Sequence, residues 1–269
     1  MKYFDLHCDT LTKLFLNKKD LAVFPNSCFE EYRQVFAIFI EEDDKTPYLT
    51  YKNMVKIAKK QGVAKLLSLE NALPIENDLS RIEEIKNDGV RSVMLTWNNQ
   101  NKYAGGAYSD GDVTEFGKQV IKEMNKNNIA LDVSHLNEKS FFTALSLSEK
   151  VLASHSNCKA IKPHIRNLSD EQIRAIIKRN GIIGINFYPE FLGDDMFHKI
   201  YLNICHISEL GGEKNICIGS DFDGALMDNR LDNVEKVPYL YEYLKLKNLS
   251  EKFLTDVFYN NANAFYKNI

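Results

Sequence analysis

The chain has 269 residues, with 34 Lys and Arg against 37 Asp and Glu, a net charge of −3 and a 44% hydrophobic share that is enough to bury a large core. The charges are interspersed with no basic block to track a phosphate backbone, which excludes the usual footprint of a nucleic-acid binder. The start, MKYFDLHCDT, has no apolar signal core, and no later run approaches the roughly 18 apolar residues of a membrane helix.

The five cysteines, Cys8, Cys28, Cys158, Cys205 and Cys217, are scattered and form no C-x-x-C, so they are expected as small buried hydrophobes. The expectation is a soluble, cytoplasmic protein in a reducing compartment, without a membrane or nucleic-acid partner.

The opening run is a strand over residues 3–7 that carries His7 and, two residues on, Asp9 on the same face. A second strand is expected at 35–41, then a helix at 48–61, a strand at 64–70 and a helix at 79–87. The next pairs are a strand at 90–97 with a helix at 114–126, and a strand at 129–135 with a helix opened by Asn137. A strand at 151–155 leads to a helix with a Ser169 to Gln172 capping box that stops at Asn180-Gly181. A strand at 182–187, a helix at 195–209 and a strand at 216–221 precede two helices near 233–246 and 251–266. Strand and helix alternating eight times, with no linker, predicts one α/β domain over 1–269, a (β/α)8 TIM barrel.

In such a barrel the active site is built at the C-terminal ends of the strands. The polar residues there are His7 and Asp9, Glu70, Trp97, His135, His155 and Asp221, all at one edge. Three imidazoles and three carboxylates exceed what one zinc ion needs, so two ions fit better. Nitrogen and oxygen donors without thiolate favour zinc or manganese over a copper or iron–sulfur site, with another divalent ion as a further option. Two such ions can hold a bridging hydroxide near neutral pH and polarise a carbonyl, which implies hydrolysis.

The motifs DLHCDT (5–10), SLENA (68–72), LTWNNQN (95–101), LDVSH (131–135), ASHSN (153–157), IRNLSD (165–170), INFYP (185–189) and GSDFDG (219–224) follow one another along the chain. In this order the set resembles the membrane (renal) dipeptidase family of zinc peptidases, in its compact soluble bacterial form. The resemblance implies a metal-dependent hydrolase barrel, two zinc ions, and hydrolysis of dipeptides, with tolerance for a D-residue at the C-terminal position. By position it gives one zinc to His7 and Asp9 and the other to His135 and His155, with Glu70 bridging. It makes Asp221 the proton-handling carboxylate and Arg166 the residue that holds the substrate carboxylate. The partner expected is a small dipeptide, and a homodimer is compatible with the resemblance.

Trp97 departs from the family's animal members, which have a histidine there near the reacting carbonyl oxygen. An indole donates only, so Trp97 is either an oxyanion contact or a packed wall of the pocket. Tyr188 is a second candidate for lining the pocket. His164 is expected in a solvated loop and His198 and His206 at the surface, with Asp132 and Asp223 supporting their neighbours. Arg166 has a plainer alternative, a surface ion pair with Asp170. A lactonase, deaminase or nuclease on the same barrel and a non-catalytic binding protein are the competing readings.

Overall fold

The computed structural model describes residues 1–17 and 28–269. Parallel strands β1 (Lys2–Cys8), β2 (Glu31–Phe39), β3 (Leu67–Glu70), β4 (Val90–Met94), β5 (Ala130–Asp132), β6 (Val151–Ala153), β7 (Ile182–Ile185) and β8 (Ile216–Ile218) close into a barrel in chain order. The helices following them are α1 (Thr10–Asn17), α2 (Pro47–Lys60), α3 (Arg81–Asn87), α4 (Glu115–Lys126), α5 (Glu138–Leu147), α6 (Asp170–Lys178), α7 (Pro189–Leu192), α8 (Met196–Glu209), α9 (Val237–Leu246), α10 (Glu251–Thr255) and α11 (Asn261–Tyr266). The barrel predicted from the eightfold alternation is the observed fold.

Chain contacts group into two compact units, one chiefly Met1–Cys8 with Ala153–Asn268, the other chiefly Phe36–Leu152. In the first unit, β1 puts Tyr3 and Phe4 against the C-terminal helices, Tyr3 beside Phe258 and Phe4 beside Tyr259 and Tyr266. The helix expected over 251–266 is interrupted there by a wide turn at Asp256–Asn260. Val257, Phe258 and Tyr259 are all buried, and three consecutive residues cannot share one face of a regular α-helix. Strands β6, β7 and β8 approach so closely that a Cβ on Gly219 would lie 1.7 Å, and one on Gly184 1.9 Å, from the Ser154 carbonyl oxygen.

The expected capping box opens α6: Ser169 Oγ accepts from the Gln172 amide at 3.3 Å and Gln172 Oε1 accepts from the Ser169 amide at 2.9 Å.

In the second unit, α4 buries Gly117, Val120, Ile121 and Met124, a stripe at helical spacing, and is capped by Thr114, whose Oγ1 accepts from the Gly117 amide at 3.0 Å. Asn137 caps α5 in the same way, accepting from the Ser140 amide at 2.7 Å. On the outside, Lys52 and Lys59 of α2 reach Asp88 at 2.8 and 2.6 Å.

The strands are shorter at their C-terminal ends than their apolar runs suggest. Trp97, His135, His155 and Asp221 lie beyond the paired residues of β4, β5, β6 and β8. His135 (φ 71°) and Asp221 (φ 65°) are left-handed, a conformation that cannot continue a ladder and that costs a non-glycine residue about 1–3 kcal/mol. At the other end β2 begins at Glu31, ahead of the expected residue 35, because Tyr32 stacks on Tyr3 and Gln34 bonds Asp5. Helices α1 and α7 were not expected.

Candidate metal centre

Within the first unit, β1 delivers His7 fully buried, its ring centroid 4.0 Å from that of His155 and its Nε2 3.9 Å from Asp221 Oδ1. The Asp221 amide donates to the His7 carbonyl at 3.1 Å, and Asn186 Nδ2 donates to Asp221 Oδ2 at 3.0 Å. Beneath them the buried Asp5 carboxylate accepts from the His7 amide (3.3 Å), the Ser220 amide (2.8 Å), Ser220 Oγ (2.6 Å) and Gln34 Nε2 (3.1 Å). Burial pushes the Asp5 carboxyl above its usual range, although the bonds from Ser220, His7 and Gln34 pull it down. Asp5 thus ties β1 to the turn carrying Asp221.

His155 has both ring nitrogens engaged, Nδ1 with Ser154 Oγ at 2.7 Å and Nε2 with Arg166 Nη2 at 3.0 Å. A guanidinium only donates, so Nε2 is the acceptor and the ring proton sits on Nδ1. That tautomer presents the Nε2 lone pair a metal ion needs.

Within the second unit, Glu70 ends β3 and its Oε1 lies 3.1 Å from His135 Nε2. His135 Nδ1 faces Asn98 Oδ1 at 2.9 Å. An amide oxygen only accepts, so Nδ1 carries the proton. Nε2 then faces Glu70 Oε1 at 3.1 Å, where an imidazolium would donate to the carboxylate and a neutral ring would leave two acceptors for a cation. Trp97 is half-buried, edge-on to Phe39 at 5.2 Å and tilted over His135 at 6.1 Å.

Asp9, just past β1, is 7% exposed and its Oδ1 accepts from Thr12 Oγ1 at 3.4 Å. Within the first unit His7 Nε2 and Asp221 Oδ1 are 3.9 Å apart, and within the second His135 Nε2 and Glu70 Oε1 are 3.1 Å apart. Buried imidazole nitrogens and carboxylate oxygens in such groups suit a divalent cation. Asp221, the expected proton-handling carboxylate, thus lies beside the His7 ring in the first unit.

Arg166 is 5% exposed and turned to His155, while Asp170 is held by His206 Nε2 at 2.7 Å, so the surface ion pair between Arg166 and Asp170 is not made. His164 is not a freely solvated loop residue: it is half-buried, its ring tilted against Phe191 at 4.7 Å, and its Nδ1 accepts from the Arg166 amide at 3.1 Å. Tyr188 is half-buried, edge-on to Phe191 at 5.0 Å. Asp132 does support a neighbour, accepting from the Ser134 amide at 3.1 Å. Sequence reasoning missed Asp5, Asn98 and Asn186. Each stands inside a quoted motif, and the signal was a polar residue in or beside an apolar strand with no obvious partner.

The family model described as membrane dipeptidase (peptidase family M19) matches residues 30–268. An uncharacterized protein encoded in the 5′ region of pqqA in Klebsiella pneumoniae is 32% identical over 197 residues, 67% of this chain and 73% of that protein. A solved dipeptidase structure aligns with a TM-score of 0.90 at 22% identity, covering 100% of this chain and 98% of its own. A metallo peptidase from Rhodobacter sphaeroides, solved with a phosphinate mimic of the dipeptide L-Ala-D-Ala, aligns with a TM-score of 0.88 at 21% identity, covering 100% and 99%. At these identities the two structures establish the fold. Among the described residues no helix is long and apolar enough to cross a membrane.

Proposed function

The chain belongs to the membrane dipeptidase family and is by that membership a metallo-dipeptidase, a hydrolase acting on peptide bonds; on that premise we propose that it cleaves free dipeptides at a centre for two divalent ions. His7 and Asp9 would hold one ion, His135 and His155 the other, and Glu70 would touch both. The observation that carries this reading is the pairing of buried imidazole and carboxylate donors within each unit, His7 with Asp221 and His155 in one and His135 with Glu70 in the other, with His155 Nε2 as acceptor. Zinc is the metal the donor set suits, and when bound the pair would supply a bridging hydroxide at neutral pH and polarise the scissile carbonyl.

The chain's own residues would then do three things. Arg166 presents a planar fork of donors to the free C-terminal carboxylate, which registers the scissile amide one residue back over the ligands. Asp221, oriented by Asn186 and by its own amide bond to His7, moves a proton between its carboxylate and the leaving amine. Trp97 would have one N–H to offer an oxyanion, with Tyr188 as a second lining residue.

The Rhodobacter sphaeroides structure was solved with a mimic whose C-terminal residue is D-Ala, which supports tolerance for a D-residue at that position here. A single domain and a cytoplasmic enzyme complete the reading.

The test is a dipeptide library on the purified protein, each member also as its C-terminal amide, with and without chelator. The reading predicts cleavage of free dipeptides, poor cleavage of amides, loss with chelator and recovery with zinc. Activity on lactones or nucleosides with none on dipeptides would replace it. Arg166→Lys should erase the preference for the free acid, by about 2 kcal/mol because a charged group is left without its matched partner.

A further inference from the structure

The loop that carries Arg166 leans on a single aromatic ring in the first unit. Phe191 lies in α7, the short helix after β7, and three side chains converge on its ring. The His164 imidazole packs against it at a tilt of 40°, centroids 4.7 Å apart, the Arg166 guanidinium sits over the ring at 5.4 Å from its centroid, and Tyr188 meets it edge-on at 5.0 Å. The Arg166 amide donates to His164 Nδ1 at 3.1 Å. The loop is pinned to α7 a second time by Asn167, whose Nδ2 donates to the Phe191 carbonyl at 2.9 Å and to the Lys162 carbonyl at 2.8 Å. From this seat the guanidinium points at the His155 ring, 3.0 Å away.

We propose that His164 and Phe191 are positioning residues that set the direction of the Arg166 guanidinium and thereby the preference for a free substrate carboxylate. This rests on the reading of Arg166 as the carboxylate-binding residue. An arginine side chain has four rotatable bonds, and an anion site gains from it only if the fork is already aimed. Phe191 restrains the guanidinium through the attraction of a cation to a ring face, which strengthens when water is excluded, as it is here with Arg166 5% exposed. His164 restrains the backbone from which that side chain springs. Accepting at Nδ1 requires the neutral ring with its proton on Nε2. Burial first, then the nearby charges of Arg166 and Lys162, push the His164 pKa down and favour that form, with Glu190 opposing them. Helix α7 also joins this seat to the acid-base carboxylate. The Tyr188 amide donates to Asn186 Oδ1 at 2.6 Å, while Asn186 Nδ2 holds Asp221.

The test compares wild type with His164→Ala, His164→Asn, Phe191→Leu and Phe191→Tyr, with thermal stability and metal content measured for each. Each is assayed on a dipeptide and its amide, and amide hydrogen exchange is followed across residues 164–168. Asparagine keeps an acceptor where His164 Nδ1 stands, and tyrosine keeps the ring. His164→Ala and Phe191→Leu should lower the acid-over-amide preference about tenfold, through KM with kcat little changed, the scale expected for a misaimed binding group. His164→Ala should also speed exchange at Arg166, and the Asn and Tyr variants should restore both readouts. Equal losses on acid and amide, or an Asn variant as impaired as Ala, would overturn the positioning role. Faster exchange in His164→Ala with a wild type indifferent to the carboxylate would keep the seat and overturn the reading of Arg166, while unchanged exchange would overturn the seat itself.

Discussion

Replacing Asn98 by alanine removes one atom of consequence, the Oδ1 that accepts from His135 Nδ1 at 2.9 Å. Its backbone role is untouched, since the Asn98 carbonyl still accepts from the Tyr108 amide at 2.8 Å. What is lost is the bond that holds the proton on His135 Nδ1 and orients the ring with Nε2 toward Glu70. Removing such a support from a ligating histidine weakens metal binding by about 10–100-fold, or ~1.4–2.8 kcal/mol. The chain has a single tryptophan, Trp97, with its ring 6.1 Å from that of His135, so intrinsic fluorescence reports on occupancy of this ligand directly. Chelator competition followed by that signal should show the loss for Asn98→Ala and recovery for Asn98→Asp, which keeps an acceptor, with the metal-free proteins melting alike. An alanine variant that binds within about twofold of wild type, or an aspartate variant as weak as alanine, would refute the role of Asn98.

Asp221→Asn should retain its metal and lose turnover by ~10²–10⁴, the range for a positioned acid-base group, and a fall of less than about tenfold would remove Asp221 from proton transfer. Arg166→Met should tighten metal binding in the absence of substrate by roughly tenfold, because the guanidinium donates into the same His155 lone pair that the ion would use; weaker binding would contradict that competition. Asp88 is buried, which alone would raise its pKa, but the bonds from Lys52 and Lys59 hold it below the usual range. A depressed pKa gives stability that is present above the unfolded value near ~4 and lost as pH falls through the folded one. Asp88→Asn should therefore destabilise by about 1–3 kcal/mol at neutral pH and progressively less on acidification, as denaturant melts across pH would record.

The barrel was legible because period-two apolar runs alternate with capped helical patterns, and local chemistry such as the Ser169 box and the Asn137 and Thr114 caps needs no tertiary help. The strand ends were less so. Composition does not announce that His135 and Asp221 adopt left-handed backbone, and an apolar run continues through them after the ladder has stopped. Asn98, Asn186 and Asp5 act through bonds to residues 37, 35 and 215 positions away, which no local pattern encodes. His164 was misjudged for a related reason, since its burial comes from Phe191 in an element, α7, too short to leave a periodic signal.

A two-ion centre that hydrolyses dipeptides can be read from metal stoichiometry on the zinc-supplemented, active protein. Two divalent ions per chain are expected, with one or both lost in Glu70→Gln and dipeptide hydrolysis falling alongside. One ion or none in a protein with His135 and His155 intact and full dipeptidase activity would contradict it.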